Sequence, residues 1–200
     1  MIEDASHKPL PKTAISATGC HLLDAFNPPA VKIDSPAIQV MTDLSQVPVA
    51  TITASATLDD ANRSMIARGV RLLLVVDDSH RQVAGLMTSV DILGEKPVLA
   101  AQRREVRRQE LRVADVMVPV DRMDAMHIED VKKARVGHIV ATLKADGRAH
   151  AIVVGQDAQG KQQLVGIFSA SQIARQLGVQ IHTHEMARTF AEIEAVIAGV

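Results

Sequence analysis

Two stretches of this chain repeat each other in the same order, and that repeat restricts the fold more than any single motif does. Ala37-Ile38-Gln39-Val40-Met41-Thr42 returns as Val113-Ala114-Asp115-Val116-Met117-Val118. The stripe Leu58, Ala61, Met65 returns as Val136, Ile139, Leu143, and Gly69 returns as Gly147. The run 71–76 returns as 149–154, and Val83-Ala84-Gly85-Leu86-Met87-Thr88 as Leu164-Val165-Gly166-Ile167-Phe168-Ser169. Such self-similarity marks one supersecondary unit used twice. Each half reads helix, strand, helix, strand, strand, helix. Half of that is too small to bury its own sheet, so the two halves should pack face to face. The chain is 47% hydrophobic but only 2% aromatic, so Leu, Ile, Val, Met and Ala must fill the core.

The clearest copy of the unit runs from Gly69 to Leu93. Residues 70–76 form a β-rich apolar run that suits a strand buried on both faces and is too short for a helix. Asp77, Asp78 and Ser79 are turn formers and stop it. Residues 83–87 resume as a second strand, antiparallel because the connection is short. Thr88, Ser89 and Asp91 then precede Ile92 and Leu93. A hydroxyl and a carboxylate are thereby left where a strand runs into a helix, a place where open α/β sheets commonly bind ligands. Helix capping is the other role these residues fit, and the two can coexist.

The remaining elements follow from local chemistry. Ser35 as N-cap with Pro36 behind it predicts a short helix, and 47–53 predicts a strand. Thr57 caps a helix whose first turn holds Asp59 and Asp60 and whose buried stripe is Leu58, Ala61, Met65 and Ile66; Gly69 ends it. Pro97 opens a connecting helix with Val98, Leu99, Val106 and Leu111 as its apolar contacts. Its arginines, Arg103, Arg104, Arg107 and Arg108, read as a solvated face beside Glu105 and Glu110. Gly178 ends the closing helix 173–177, and 183–198 predicts a last helix with Met186, Phe190, Ile193, Val196 and Ile197 as its stripe. Pro9, Pro11, Pro28 and Pro29 keep the first 34 residues loosely structured around an apolar patch at Leu22, Leu23 and Phe26.

Composition excludes several classes. A formal net charge of −1 gives no pull toward nucleic acid or an acidic membrane, and no aromatics interleave the arginines. Cys20 stands alone, so no disulfide closes within the chain and a reducing compartment is expected. The first residues lack the pattern of a signal peptide and no apolar run reaches membrane length, so a cytoplasmic location is expected. Cys20 with His21, and His182 with His184, lack a third ligand, so no metal is expected. No nucleophile–base pairing is legible, and neither Gly-x-Gly-x-x-Gly nor Gly-Lys-Thr occurs, so no enzyme is expected.

The repeat resembles a tandem pair of CBS domains, named after cystathionine β-synthase. The first copy carries the likeness: the Val-Met-Thr segment at 40–42, Gly69-Val70-Arg71 leading into Leu73-Leu74-Val75-Val76-Asp77, and Gly85-Leu86-Met87-Thr88-Ser89-Val90-Asp91, which fits the family's Gly-x-x-Thr-x-x-Asp signature. The resemblance covers about residues 36 to 178. It implies an α/β (α+β) fold of two β-α-β-β-α repeats with pseudo-twofold symmetry packed through their sheets. The expected layout is an extension at 1–34, a first repeat at 35–96, a linker helix at 97–111, a second repeat at 112–178 and a C-terminal helix at 179–200.

The resemblance further implies a regulatory module of the Bateman type that binds an adenosine compound, AMP, ADP, ATP or S-adenosylmethionine, in a cleft between the copies. Asp91 would accept hydrogen bonds from ribose hydroxyls, and Thr88 would donate to a phosphate. Gly85 and Met87 belong to the same signature, and Arg71 would neutralise phosphate. The purine wall would come partly from the partner copy, at Met126, His127 and His150. The second copy keeps Gly166 and Ser169 but has Gln172 in place of the carboxylate and Gly155 in place of the strand-ending Asp, so the Ser169 cleft is the weaker one. The longer loop 155–163 is a candidate cover for it. No cofactor is required. A homodimer and a client protein are the expected partners; the alternative is a ligand-free dimerisation scaffold.

Overall fold

The computed structural model describes residues 10–20, 30–77, 79, 82–179 and 190–195. The expected apolar patch at Leu22, Leu23 and Phe26, the pair His182 and His184, and Met186, Val196 and Ile197 lie outside them. Two four-stranded sheets, each covered by helices, make up the fold. The strands are β1 (Thr42–Asp43), β2 (Thr51–Thr53), β3 (Leu72–Val76), β4 (Val83–Thr88), β5 (Val118–Pro119), β6 (Ala125–His127), β7 (His150–Gln156) and β8 (Gln162–Ser169). The helices are α1 (Leu58–Arg68), α2 (Ser89–Leu93), α3 (Lys96–Arg104), α4 (Val113–Val116), α5 (Ile128–Lys133), α6 (Val136–Ala145) and α7 (Ala170–Gln176). Residues 190–195 are helical as well.

The sheets repeat each other in detail. One has the order β2-β3-β4-β5 and the other β6-β7-β8-β1. In each, the first pair is parallel and the other two are antiparallel. Each central hairpin has a register shift at the same place, between Val75 and Val76 and between Val153 and Val154. In β3, Leu73 and Val75 join the helices' core, whereas Leu72, Leu74 and Val76 are buried without belonging to it. Alternate side chains point to opposite faces, so the second set is covered by the other repeat. Ile152 and Val154 of β7 are buried in the same way, with Val153 in the helices' core. The halves therefore pack through their sheets.

The lead-in segments trade places. Residues 37–40 form the expected short helix, of 3-10 type and with Pro36 rather than Ser35 at its N-cap, and β1 then pairs with β8 of the second repeat. The matching β5 pairs with β4 of the first repeat. Ala37 N–H donates to Ala134 O at 3.0 Å, and its counterpart Val113 N–H donates to Ala56 O at 2.9 Å. Val31, Ala37 and Val40 lie in the second core, while Ala100, Leu111, Val113 and Val116 lie in the first. Each half thus closes its core with a segment from outside its own strand-helix unit.

Local signals place most other elements. Thr57 Oγ1 accepts from Asp60 N–H at 3.0 Å, and Gly69 ends α1 at φ 63°, a left-handed conformation that costs glycine little. Three expectations are corrected. Ile66 is 72% exposed and lies off the buried stripe. Only Thr51–Thr53 of the run 47–53 forms a strand, because Pro48 has no N–H to give a ladder. On α3, Pro97 and Ala100 face the core, which turns Val98 and Leu99 outward. The arginines that follow are partly paired: Arg104 with Asp115, and Arg108 with the Ile92 carbonyl at 3.2 Å.

Candidate functional site

β4 delivers Thr88 to the start of α2, and the short helix turns Asp91 back onto it. Thr88 N–H and Thr88 Oγ1 both donate to Asp91 Oδ2 at 2.7 Å. The ammonium of Lys96, at the start of α3, donates to Asp91 Oδ1. Asp91 is only 6% exposed, so a buried carboxylate is held at the sheet end by two neutral donors and one cation. Lys96 itself remains half-exposed. The capping role and the candidate ligand role fall on one carboxylate.

The neighbouring signature residues are placed differently. Met87 faces the helices and is fully buried in the first core, so it offers a ligand no side-chain surface. The alternation of β4 dictates this, since Thr88 lies on the opposite face. Gly85 lies under β5: a Cβ there would come within 2.4 Å of the Val118 carbonyl oxygen. The glycine admits a crossing strand, a structural duty that the motif alone does not reveal.

At the matching point of the second repeat, Ser169 Oγ and Ser171 Oγ are 3.0 Å apart. Gln172 Oε1 accepts from Thr42 Oγ1 of β1 at 3.2 Å. Gln172 supplies no carboxylate there, and its amide is tied to the incoming strand. The loop 155–163 does not cover this point. β7 and β8 run on through 156 and from 162, and the turn closes on Asp157 Oδ1, which accepts from Gln159 and Lys161 N–H at 2.9 and 2.8 Å. That turn and Ser169 stand at opposite ends of β8, roughly 23 Å apart.

Arg71 and His150 bring the two repeats together. Arg71 O accepts from Ser89 N–H at 3.0 Å, which ties it to the start of α2. His150 begins β7 opposite Ser169. Burial, and secondarily the Arg71 guanidinium, push the His150 imidazole down to about 4. A neutral ring and a cation from different repeats are therefore neighbours near the strand ends.

Met126 and His127 lie elsewhere. They line a groove of about 340 Å³ on the second repeat with Asp130, His138, Ile139 and Thr142, and neither Thr88 nor Asp91 borders it. His127 Nδ1 accepts from Glu129 N–H at 3.3 Å, and His138 Nδ1 from Arg135 N–H at 2.9 Å, so both rings cap helices. His138 was not legible as a groove residue. It occupies the helix position that Asp60 holds in the first repeat, and the repeat alignment was the signal for that. Among the described residues, no group of three or more His, Cys, Asp or Glu could hold a metal ion.

Residues 28–97 match the family model of the CBS domain. The chain has the fold of a CBS-domain pair. Its first CBS repeat carries the family match, and the second shares the strand order, bulge position and exchanged lead-in of the first. Among the solved structures that match, two have a similar fold over most of their length. An uncharacterized conserved protein from Pyrococcus horikoshii is 18% identical, with 76% of this chain and 99% of that one covered at a TM-score of 0.52. CBSX2, a CBS-pair protein of Arabidopsis thaliana solved in complex with AMP, is 20% identical, with 70% and 94% covered at a TM-score of 0.50. No curated protein matches the sequence. No helix among the described residues is long and apolar enough to cross a membrane.

Proposed function

We propose that this CBS pair is a regulatory module that senses an adenosine-containing ligand, AMP, ADP, ATP or S-adenosylmethionine, at the Thr88–Asp91 end of β4. It then signals through its own homodimer or through a client protein in the cytoplasm. The observation that carries the reading is the buried Asp91 carboxylate, held by Thr88 and by an exchangeable Lys96. A ribose diol offers the donors that Asp91 Oδ1 takes from Lys96, and the released ammonium suits a phosphate. Arg71 adds a second cation, and the neutral His150 gives a flat, weakly polar wall for a base. Gly85 contributes backbone only, and Ser169 marks the second cleft, which lacks the carboxylate. Met126 and His127 would serve a ligand only through the separate groove. CBSX2 in complex with AMP is a precedent for the ligand class. The reading assigns the module no reaction of its own, no metal and no required cofactor.

One observation favours the second reading, a ligand-free scaffold. Both cleft side chains already serve the fold, Asp91 as a helix cap and Gln172 as a clamp on Thr42. Thermal unfolding of ligand-stripped protein with each of the four compounds separates the two. A ligand at a hundred times its dissociation constant adds about 2.7 kcal/mol of stability. A shift with at least one compound supports the sensor, and no shift with any supports the scaffold.

A further inference from the structure

α3 divides its residues between two faces. Pro97 and Ala100 are buried against the first repeat, and Arg104 pairs with Asp115 on the same side. Positions three and four apart share a helix face, so Val98, Leu99, Gln102 and Arg103 fall on the opposite one. Val98 and Leu99 are 54% and 52% exposed. Residues 96–112 carry six cations against two acids, in a chain whose net charge is −1. Three of the six are engaged: Lys96 with Asp91, Arg104 with Asp115, and Arg108 with the Ile92 carbonyl. Arg103 and Arg107 are exposed and have no carboxylate partner among the described residues. A purely solvated face is polar throughout, whereas this one sets an exposed Val-Leu pair beside two such guanidinium groups. Apolar anchors next to arginines are the make-up of a protein-binding surface.

We infer that the outer face of α3, with Val98, Leu99, Arg103 and the following Arg107, docks an acidic amphipathic helix of a client protein. The inference rests on the client-protein branch of the function proposed above and names the surface that branch needs. Charge selects the occupant. Carboxylates match guanidinium groups in two parallel hydrogen bonds, and leucine-type side chains at helical spacing cover Val98 and Leu99. A second copy does not fit, because twofold apposition sets one cationic face against another. Nucleic acid does not fit either: its phosphates would leave Val98 and Leu99 uncovered, and the chain has no Trp or Tyr on which bases stack. Two half-exposed side chains on a helix of nine residues are too small an apolar strip for a membrane surface. The face is also placed to report on the Asp91 end of the module. Lys96 at the start of α3 holds Asp91, and Arg108 beyond its end holds the Ile92 carbonyl. Both acceptors lie on α2, so a ligand that takes Asp91 from Lys96 releases one end of the docking helix.

The test is the binding of a defined probe to the full chain, read by fluorescence anisotropy. The probe is a labelled helical peptide of about 18 residues, with Leu at i, i+3, i+4 and i+7 and Glu between them. It should bind the unaltered protein. Its dissociation constant should rise about tenfold or more in Arg103→Glu with Arg107→Glu, and again in Val98→Ser with Leu99→Ser. Both double variants should keep the unfolding midpoint of the unaltered protein, because all four side chains are exposed. The same peptide with Lys in place of Glu should not bind. No binding of the acidic peptide, an affinity that either double variant leaves unchanged, or equal binding of the Lys peptide overturns the surface. So does tighter binding of poly(U) or of phosphatidylserine vesicles than of the peptide. Self-association that both double variants abolish, measured by light scattering, gives the face to a second copy and overturns it as well. The ligand reading stands or falls separately, on the thermal shifts with the adenosine compounds.

Discussion

Met41 lies across Gly166: a Cβ on that glycine would come within 2.3 Å of the Met41 sulfur. Met117 and Gly85 stand in the same relation, but there the nearest atom is the Val118 carbonyl oxygen of β5, at 2.4 Å. The two sites predict unequal costs. A methionine side chain can swing aside, whereas a paired strand cannot. Gly85→Ala should lower stability by about 1–3 kcal/mol through overpacking. Gly166→Ala should cost less than about 1 kcal/mol. Urea unfolding measures both, and equal costs would mean that β5 yields as readily as a side chain.

Asp91→Ala should act twice. It leaves Thr88 N–H and Lys96 without their acceptor, at a cost of about 1–3 kcal/mol in the unfolding free energy. It should also abolish the ligand-induced thermal shift. Gln172→Ala, which removes one uncharged bond to Thr42, should cost about 0.5–1.5 kcal/mol and leave the shift in place. Equal loss of ligand response in both variants would contradict the asymmetry between the clefts.

Lys96→Met tests the exchange at Asp91. The substitution retains the packing of the stem but removes the ammonium. Affinity for AMP, ADP or ATP should fall about three- to tenfold, while affinity for unphosphorylated adenosine should not fall. Isothermal titration with AMP and adenosine provides the comparison. A parallel loss for both would place Lys96 at the sugar instead of the phosphate.

His150 predicts a pH dependence with a definite sign. Its folded value, about 4, lies below the ordinary 6.5, so the unfolded chain binds the extra proton first. The neutral ring's contribution is complete above pH 6.5 and declines as pH falls toward 4. The full span is on the order of 3 kcal/mol. His150→Leu should flatten that part of the stability curve. Arg71→Met should raise the imidazole pKa modestly, because burial is the larger cause. Proton NMR titration of the His150 ring reads this directly.

Much of the fold was legible because its determinants are local. Thr57, Asp60 and Gly69 bracket α1 through bonds that span a few residues, and the apolar run 70–76 identifies β3 through its composition. Thr88 and Asp91 were legible as a pair for the same reason. The fate of Met87 was less so, because a signature read as a string does not show which residues alternate inward. The Asp91–Lys96 contact spans only five residues, yet it depends on how α3 leaves α2. The groove at His127 and His138 escaped notice because it depends on the break between α5 and α6 at Ala134 and Arg135.

The sequence alone determined that one unit is used twice, where its capped helix α1 and its central hairpins lie, and that the second copy lacks the first copy's carboxylate. These follow from periodicity, capping and residue chemistry, which act over a turn or a strand length. The tertiary structure decided the rest. β1 and β5 are two-residue strands with no pattern of their own, and they cross to the opposite repeat, where Gly85 leaves room for β5 and Gly166 for the Met41 side chain that precedes β1. The Arg71 charge acts on His150, and Gln172 meets Thr42 across 130 positions of sequence, only once the halves have closed. Contacts of that range are fixed by which surfaces must leave water together, and no short window of sequence records that choice.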